Sequence, residues 1–170
     1  MNPIFKIQRR MLDQIHTDLS RPHLFAAERV GFISCKVAAF DAGTVVALAQ
    51  AYLPVRDDHY EDDPSVGAML NGAAFRTALQ HSYGSKTAMF HVHRHEHRGP
   101  PRFSHVDMGE ARRFVPDFWK VQPSLPHGVI VLSRDRMHGL CWLPADRKPV
   151  PFATYTLVGF PTVIHHEVFK

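Results

Sequence analysis

The stretch Phe90-His91-Val92-His93-Arg94-His95-Glu96-His97, followed by Ser104-His105-Val106-Asp107, constrains this chain more than any other part of it. Side chains alternate along an extended backbone, so histidines at every second position share one face only if the segment is a strand. Ser104 suits a helix N-cap, and Asp107 then falls in the first turn, where the helix dipole favours negative charge. The segment is therefore predicted to leave a strand, cross a loop through Gly99-Pro100-Pro101 and enter a helix. No structural requirement explains four alternating histidines. A chain that exits a strand and enters a helix in this way can gather these groups around one ion.

The surroundings support that reading. Met69 to His81 suits a helix, and Ser85 to Phe90 reads as a short strand leading into the histidines. Met108, Ala111, Phe114, Phe118 and Trp119 give the following helix an apolar stripe, read as core. Earlier, Ile4, Ile7, Met11, Ile15 and Leu19 recur at helical spacing, which predicts an amphipathic N-terminal helix over about 4–19. Glu28 heads a strand that continues to Val37. Asp41-Ala42-Gly43 marks a turn, and Thr44 to Val55 forms a second strand of a β-hairpin. Gly128 to Ser133 and Met137 to Leu143 read as two further strands, with one more near Thr154 to Phe160. The pattern predicts an α+β fold or a three-layer sandwich, a mostly antiparallel sheet with helices against it.

At 170 residues the chain favours a single domain, 1–170, with a real core. There is no apolar run long enough to cross a membrane. Cys35 and Cys141 each sit in an apolar run and read as buried free thiols of a reducing compartment, hence a cytoplasmic protein. Cys141 lies near His138 but in a strand with no third orienting group, which argues against a thiol protease. The formal charge of +4 permits an anionic partner without demanding one. Lysines and arginines are scattered rather than arranged in a stripe with aromatics, which argues against nucleic-acid binding. The acidic run from Asp57 to Asp63 reads as a solvated loop, with contact to a basic substrate tail as a second reading.

The chemistry follows from the donors. Zinc takes nitrogen, sulfur and oxygen ligands in a tetrahedron, and a catalytic site keeps three protein ligands and one position for water. His91 and His93 can reach one ion from a strand face, and Asp107 supplies a third, anionic ligand. His-x-His alone is a weak signal. Joined to Ser-x-x-Asp after a strand and at a helix start, it is a much stronger one.

Glu28 at the head of a strand, then His91-x-His93, then Ser104-x-x-Asp107, resembles the JAMM metalloproteases (the MPN-type isopeptidases), and in particular their bacterial Prok-JAB branch. The likeness runs from Glu28 to Leu143. It implies a curved, mostly antiparallel mixed sheet flanked by helices, a three-layer α/β/α-like, cytidine-deaminase-like core. It also implies one Zn2+ per chain, held by His91, His93 and Asp107. Glu28 would be the general base and Ser104 the donor to the oxyanion. The implied activity is deubiquitinase-like: isopeptide or peptide cleavage after the C-terminal tail of a ubiquitin-like protein. Implied partners are that protein or its conjugates and E1-like and E2-like enzymes of the same operon, some of which serve antiphage defence.

Two features depart from the family pattern. Arg94 stands where proline usually follows the second histidine, and the loop before Ser104 is a few residues longer. His95, Glu96 and His97 lie in that lengthened loop and are alternative ligands. A rival of another class is a non-catalytic, metal-stabilised scaffold of the same fold with a protein or nucleic-acid partner.

Overall fold

The computed structural model describes residues 2–39 and 43–166. Its elements are β1 (Asn2–Gln8), α1 (Arg9–Leu19), β2 (Val30–Ala39), β3 (Thr44–Pro54), β4 (Tyr60–Glu61), β5 (Met69–Leu70), α2 (Gly72–Ser85), β6 (Ala88–Arg94), α3 (His105–Val121), β7 (His127–Leu132), β8 (Met137–Trp142), β9 (Pro149–Pro151), β10 (Thr154–Val158) and β11 (Val163–His166). Nine strands form one sheet in the order β11-β10-β1-β3-β2-β6-β7-β8-β9, and β4 pairs with β5 apart from it. β1 runs parallel to β3 and β10, and β6 parallel to β7, while the other neighbours are antiparallel. No helix among the described residues is long and apolar enough to cross a membrane.

The expected helix-flanked, three-layer α/β/α sandwich is not what forms. The described residues are 39% strand and 28% helix, a nine-stranded mixed half-barrel sheet with three helices. The physical reason lies in how the sheet buries its inner face. It curls until the segment after β9 meets β1, where the Ala153 N–H donates to the Pro3 carbonyl at 2.9 Å. Phe5, Phe90, Phe152 and Tyr155 fill the hollow, with neighbouring ring centroids 5.4–6.4 Å apart. Helix α1 adds only Ile15 and Leu19 to that buried set. The sheet thus covers itself where a helical layer was expected. On the opposite face α2 and α3 pack through Ala74, Ala78, Phe114, Phe118 and Trp119 onto Phe32, Met89, Val129 and Trp142.

The N-terminal helix begins at Arg9 and not at Ile4. Pro3, Phe5 and Ile7 alternate into the core, and this period of two wins because β1 fills a gap between β3 and β10. The hairpin of β2 and β3 forms as expected, but Asp41 and Ala42 of its turn lie outside the described residues. Gly31 allows a close approach here: a Cβ would sit 2.5 Å from the Tyr52 ring, whose hydroxyl donates to Asp18 at 2.6 Å and ties β3 to α1. Cys35 and Cys141 are buried free thiols, and burial pushes Cys141 up to about 12. The acidic run is more structured than a solvated loop: Asp57–His59 make one 3-10 turn, and Asp57 pairs with the buried Arg29 at 2.7 Å.

Candidate metal centre

Three separated segments converge at one end of β6. The strand carries His91 and His93 on the face toward α3, opposite Phe32 and Val30 of β2. Phe90 before them and Val92 between them point into the hollow. Both histidines lie inside the strand, which runs to Arg94. Arg94, in the place of the family's proline, turns to the other side. It donates to the Ser20 hydroxyl at 2.6 Å and to the His16 carbonyl at 3.3 Å, anchoring the strand end to α1.

Asp107 is fixed by the start of α3. The Ser104 side chain accepts from the Asp107 N–H at 3.1 Å, and the Ser104 N–H donates to Asp107 Oδ2 at 2.6 Å, a capping box. The carboxylate then faces β6, with Oδ1 3.5 Å from His93 Nε2. Partial burial would raise the Asp107 carboxyl. The His93 imidazole and the Ser104 bonds outweigh that and hold it well below the usual carboxylate range.

Glu28 arrives from the segment before β2. Its neighbour Arg29 is buried and donates to the Arg21 and Pro22 carbonyls and to Asp57. The Tyr60 hydroxyl accepts from the Val30 N–H at 3.0 Å. The Glu28 N–H donates to the Gly67 carbonyl at 2.9 Å. These bonds clamp the backbone on both sides of the glutamate. Its carboxylate lies within 4.8 Å of ring nitrogens of His93 and His95.

Glu28, His91, His93 and Asp107 line one cavity of about 130 Å³. Its remaining wall is largely apolar, with Val66, Met69 and Leu70 of the segment around β5, Phe75 of α2 and Phe114 of α3. His91 packs between Phe32 and Phe114, with ring centroids at 5.5 and 5.1 Å. Burial, reinforced by His93, lowers its pKa to about 3, so the ring stays neutral and keeps a lone pair. Ser104 is exposed at the helix start, bonded to Asp107 and not part of the cavity wall.

The donor set suits a zinc-like ion. In a tetrahedron with bonds of about 2.0–2.1 Å, neighbouring donors sit about 3.3–3.4 Å apart. His93 Nε2 lies 3.5 Å from Asp107 Oδ1 and 3.3 Å from His95 Nε2. His93 Nδ1 is buried with no hydrogen-bond partner. The polar contacts of this ring thus all lie on the side where an ion would bind.

Sequence reasoning placed His95 in a loop and offered it only as an alternative ligand; the structure brings its ring nitrogen within 4.8 Å of donor atoms of Glu28 and His93. The His95 N–H instead donates to the Leu132 carbonyl at 2.8 Å, continuing the β6–β7 ladder one step past Arg94. The unbroken alternation His91-His93-His95 was the available signal. Gly67 and the cavity wall from Val66 to Leu70 carried no recognisable pattern.

A scan against protein-family models finds no match for this chain, and a search of curated proteins finds no relative.

Proposed function

We propose that this chain is a zinc-dependent metallo-isopeptidase or peptidase of the JAMM type, cleaving after the C-terminal tail of a ubiquitin-like protein. The observation that carries the reading is the meeting of Glu28, His91, His93 and Asp107, from three separate segments, in one cavity. A metal-stabilised scaffold has no use for a carboxylate clamped beside the imidazoles.

His91, His93 and Asp107 would hold the ion. Zinc supplies Lewis acidity and lowers the pKa of water toward neutrality. Glu28 accepts the proton of the attacking water and returns it to the leaving amine. The Ser104 hydroxyl accepts the Asp107 N–H and keeps its own proton, which it donates to the oxyanion of the tetrahedral intermediate. The apolar cavity wall excludes bulk water and strengthens each of these interactions.

The resemblance in the ordered motif, Glu28, His91-x-His93 and Ser104-x-x-Asp107, supports the substrate class. The same reading takes a ubiquitin-like protein or its conjugates, with E1-like and E2-like enzymes of a bacterial operon, as partners. The free buried thiols support a cytoplasmic setting.

The test compares wild type with Glu28→Ala for zinc content and for cleavage of a ubiquitin-like fusion. Zinc should be retained and cleavage should fall about 10²–10⁴-fold. Wild-type cleavage by Glu28→Ala would show that the mechanism is wrong.

A further inference from the structure

We propose that His95 is a ligand in its own right, the third imidazole of the metal centre beside His91 and His93, with Asp107 as the fourth protein donor. This rests on the zinc-hydrolase reading and adds a ligand to it.

The backbone argues first. One further ladder bond, His95 N–H to Leu132 carbonyl at 2.8 Å, keeps the chain extended past Arg94. The His95 side chain therefore emerges on the same face as His91 and His93. Its ring centroid is 5.0 Å from that of His93 and its Nε2 is 3.3 Å from His93 Nε2. Two ring nitrogens at that separation repel unless a proton or a cation lies between their lone pairs.

The carboxylate argues next. Asp107 presents Oδ1 to His93 at 3.5 Å and Oδ2 to His95 at 4.0 Å, so its two oxygens span both rings. The Nε2 atoms of both rings thus lie within 4.0 Å of one or the other oxygen of this carboxylate. The side chain of His93 is 4% exposed, and its buried Nδ1 has no partner, leaving Nε2 as its only contact with polar groups.

The loop argues last. Glu96 pairs with Arg94 on one side and with Arg134 at 3.2 Å on the other. The Arg134 N–H donates to the His97 carbonyl at 2.9 Å, and the Gly99 N–H to Asp135 at 2.8 Å. These bonds hold the segment after His95 against the β7–β8 turn, which keeps its ring at the centre. Zinc in catalytic sites can expand to five-coordinate, so four protein donors still leave room for water.

The experiment counts imidazoles. The purified full chain is loaded with zinc, and extended X-ray absorption fine structure reports the histidine scattering around the ion. Affinity is measured by chelator competition. The expected count is three in the wild type and two in His95→Ala, with zinc affinity at least about tenfold weaker in the variant. His97→Ala is the control and keeps three, because the Nδ1 of His97 lies 2.9 Å from the Arg98 carbonyl and its ring is one position further out. A wild-type count of two, or unchanged affinity in His95→Ala, overturns the assignment of His95 and leaves the zinc site standing. A wild-type chain that takes up no zinc overturns the site reading itself, and His95 with it.

Discussion

Two buried histidines sit on neighbouring parallel strands and do different work. His127, at the start of β7, is 0% exposed, and His93, near the end of β6, is 3% exposed. The Met89 N–H donates to His127 Nδ1 at 3.0 Å, so that nitrogen must carry a lone pair. Its Nε2 lies 3.1 Å from the Gln122 carbonyl and must carry the proton. The ring stacks on Phe118 with centroids 5.4 Å apart. His93 has one nitrogen without a partner and the other facing His95 and Asp107. A buried polar atom without a partner costs about 1–3 kcal/mol. Equal burial thus hides opposite roles, and what the ring nitrogens meet tells them apart.

The comparison breaks most sharply under alanine. His93→Ala should lower zinc affinity more than about 100-fold, beyond the range seen for indirect supports of a ligand. The stability of the zinc-free chain should change by only about 1 kcal/mol, because an unsatisfied polar atom leaves with the ring. His127→Ala should keep zinc and lose about 3–5 kcal/mol, since it opens a cavity and strips partners from Met89 and Gln122. Calorimetric zinc titration and urea denaturation check both. If His127→Ala loses zinc while His93→Ala unfolds, the roles are reversed.

Protonation sharpens the same contrast. Burial lowers the pKa of His127 to about 4, against about 6.5 in an unfolded chain. Between these values the unfolded state binds the extra proton, so stability rises with pH across the window. The contribution is complete above about pH 7 and fades as pH falls from about 6.5 to about 4, to a total on the order of 3 kcal/mol. Urea midpoints of the zinc-free chain at pH 7 and pH 4.5 measure it. His127→Phe should be less stable at pH 7 but should show a flatter dependence. An identical slope in the variant would remove His127 as the source.

The sequence made the local parts of this molecule visible and hid the non-local ones. Ser104 and Asp107 form their capping box within four residues, so the start of α3 could be read directly. Phe114, Phe118 and Trp119 share a helix face and are core as expected. The first strand was misread because Ile4, Ile7 and Met11 fit a helix while Pro3, Phe5 and Ile7 fit a strand. Only pairing with β3 and β10, far along the chain, decides between them. The three-layer expectation failed for a related reason: no local pattern announces that a sheet will curl onto itself. At the centre, His91, His93 and Asp107 stood out by spacing. His95 stood only among the alternative ligands of the loop after β6, and the one ladder bond to Leu132 that keeps the chain extended through it is not written in the local sequence.

Gly67 tests whether the position of the Glu28 carboxylate matters, apart from its presence. A Cβ added there would lie 3.0 Å from Glu28 Oε2, 3.1 Å from Cδ and 3.3 Å from Cγ. The side chain of Glu28 must then give way by a few tenths of an ångström, away from its place beside the imidazoles. The backbone bond between Glu28 N–H and Gly67 O is unaffected, so the two segments stay clamped. Removing glycine lowers the entropy of the unfolded chain, and Gly67→Ala should be as stable as the wild type or up to about 0.5–1 kcal/mol more so. Turnover should nevertheless fall about tenfold, because small misplacements of a catalytic group are costly. Thermal melting and kcat for cleavage of the fusion substrate separate the two effects. Undiminished kcat in a stable Gly67→Ala would mean that Glu28 acts with more freedom than a positioned base requires.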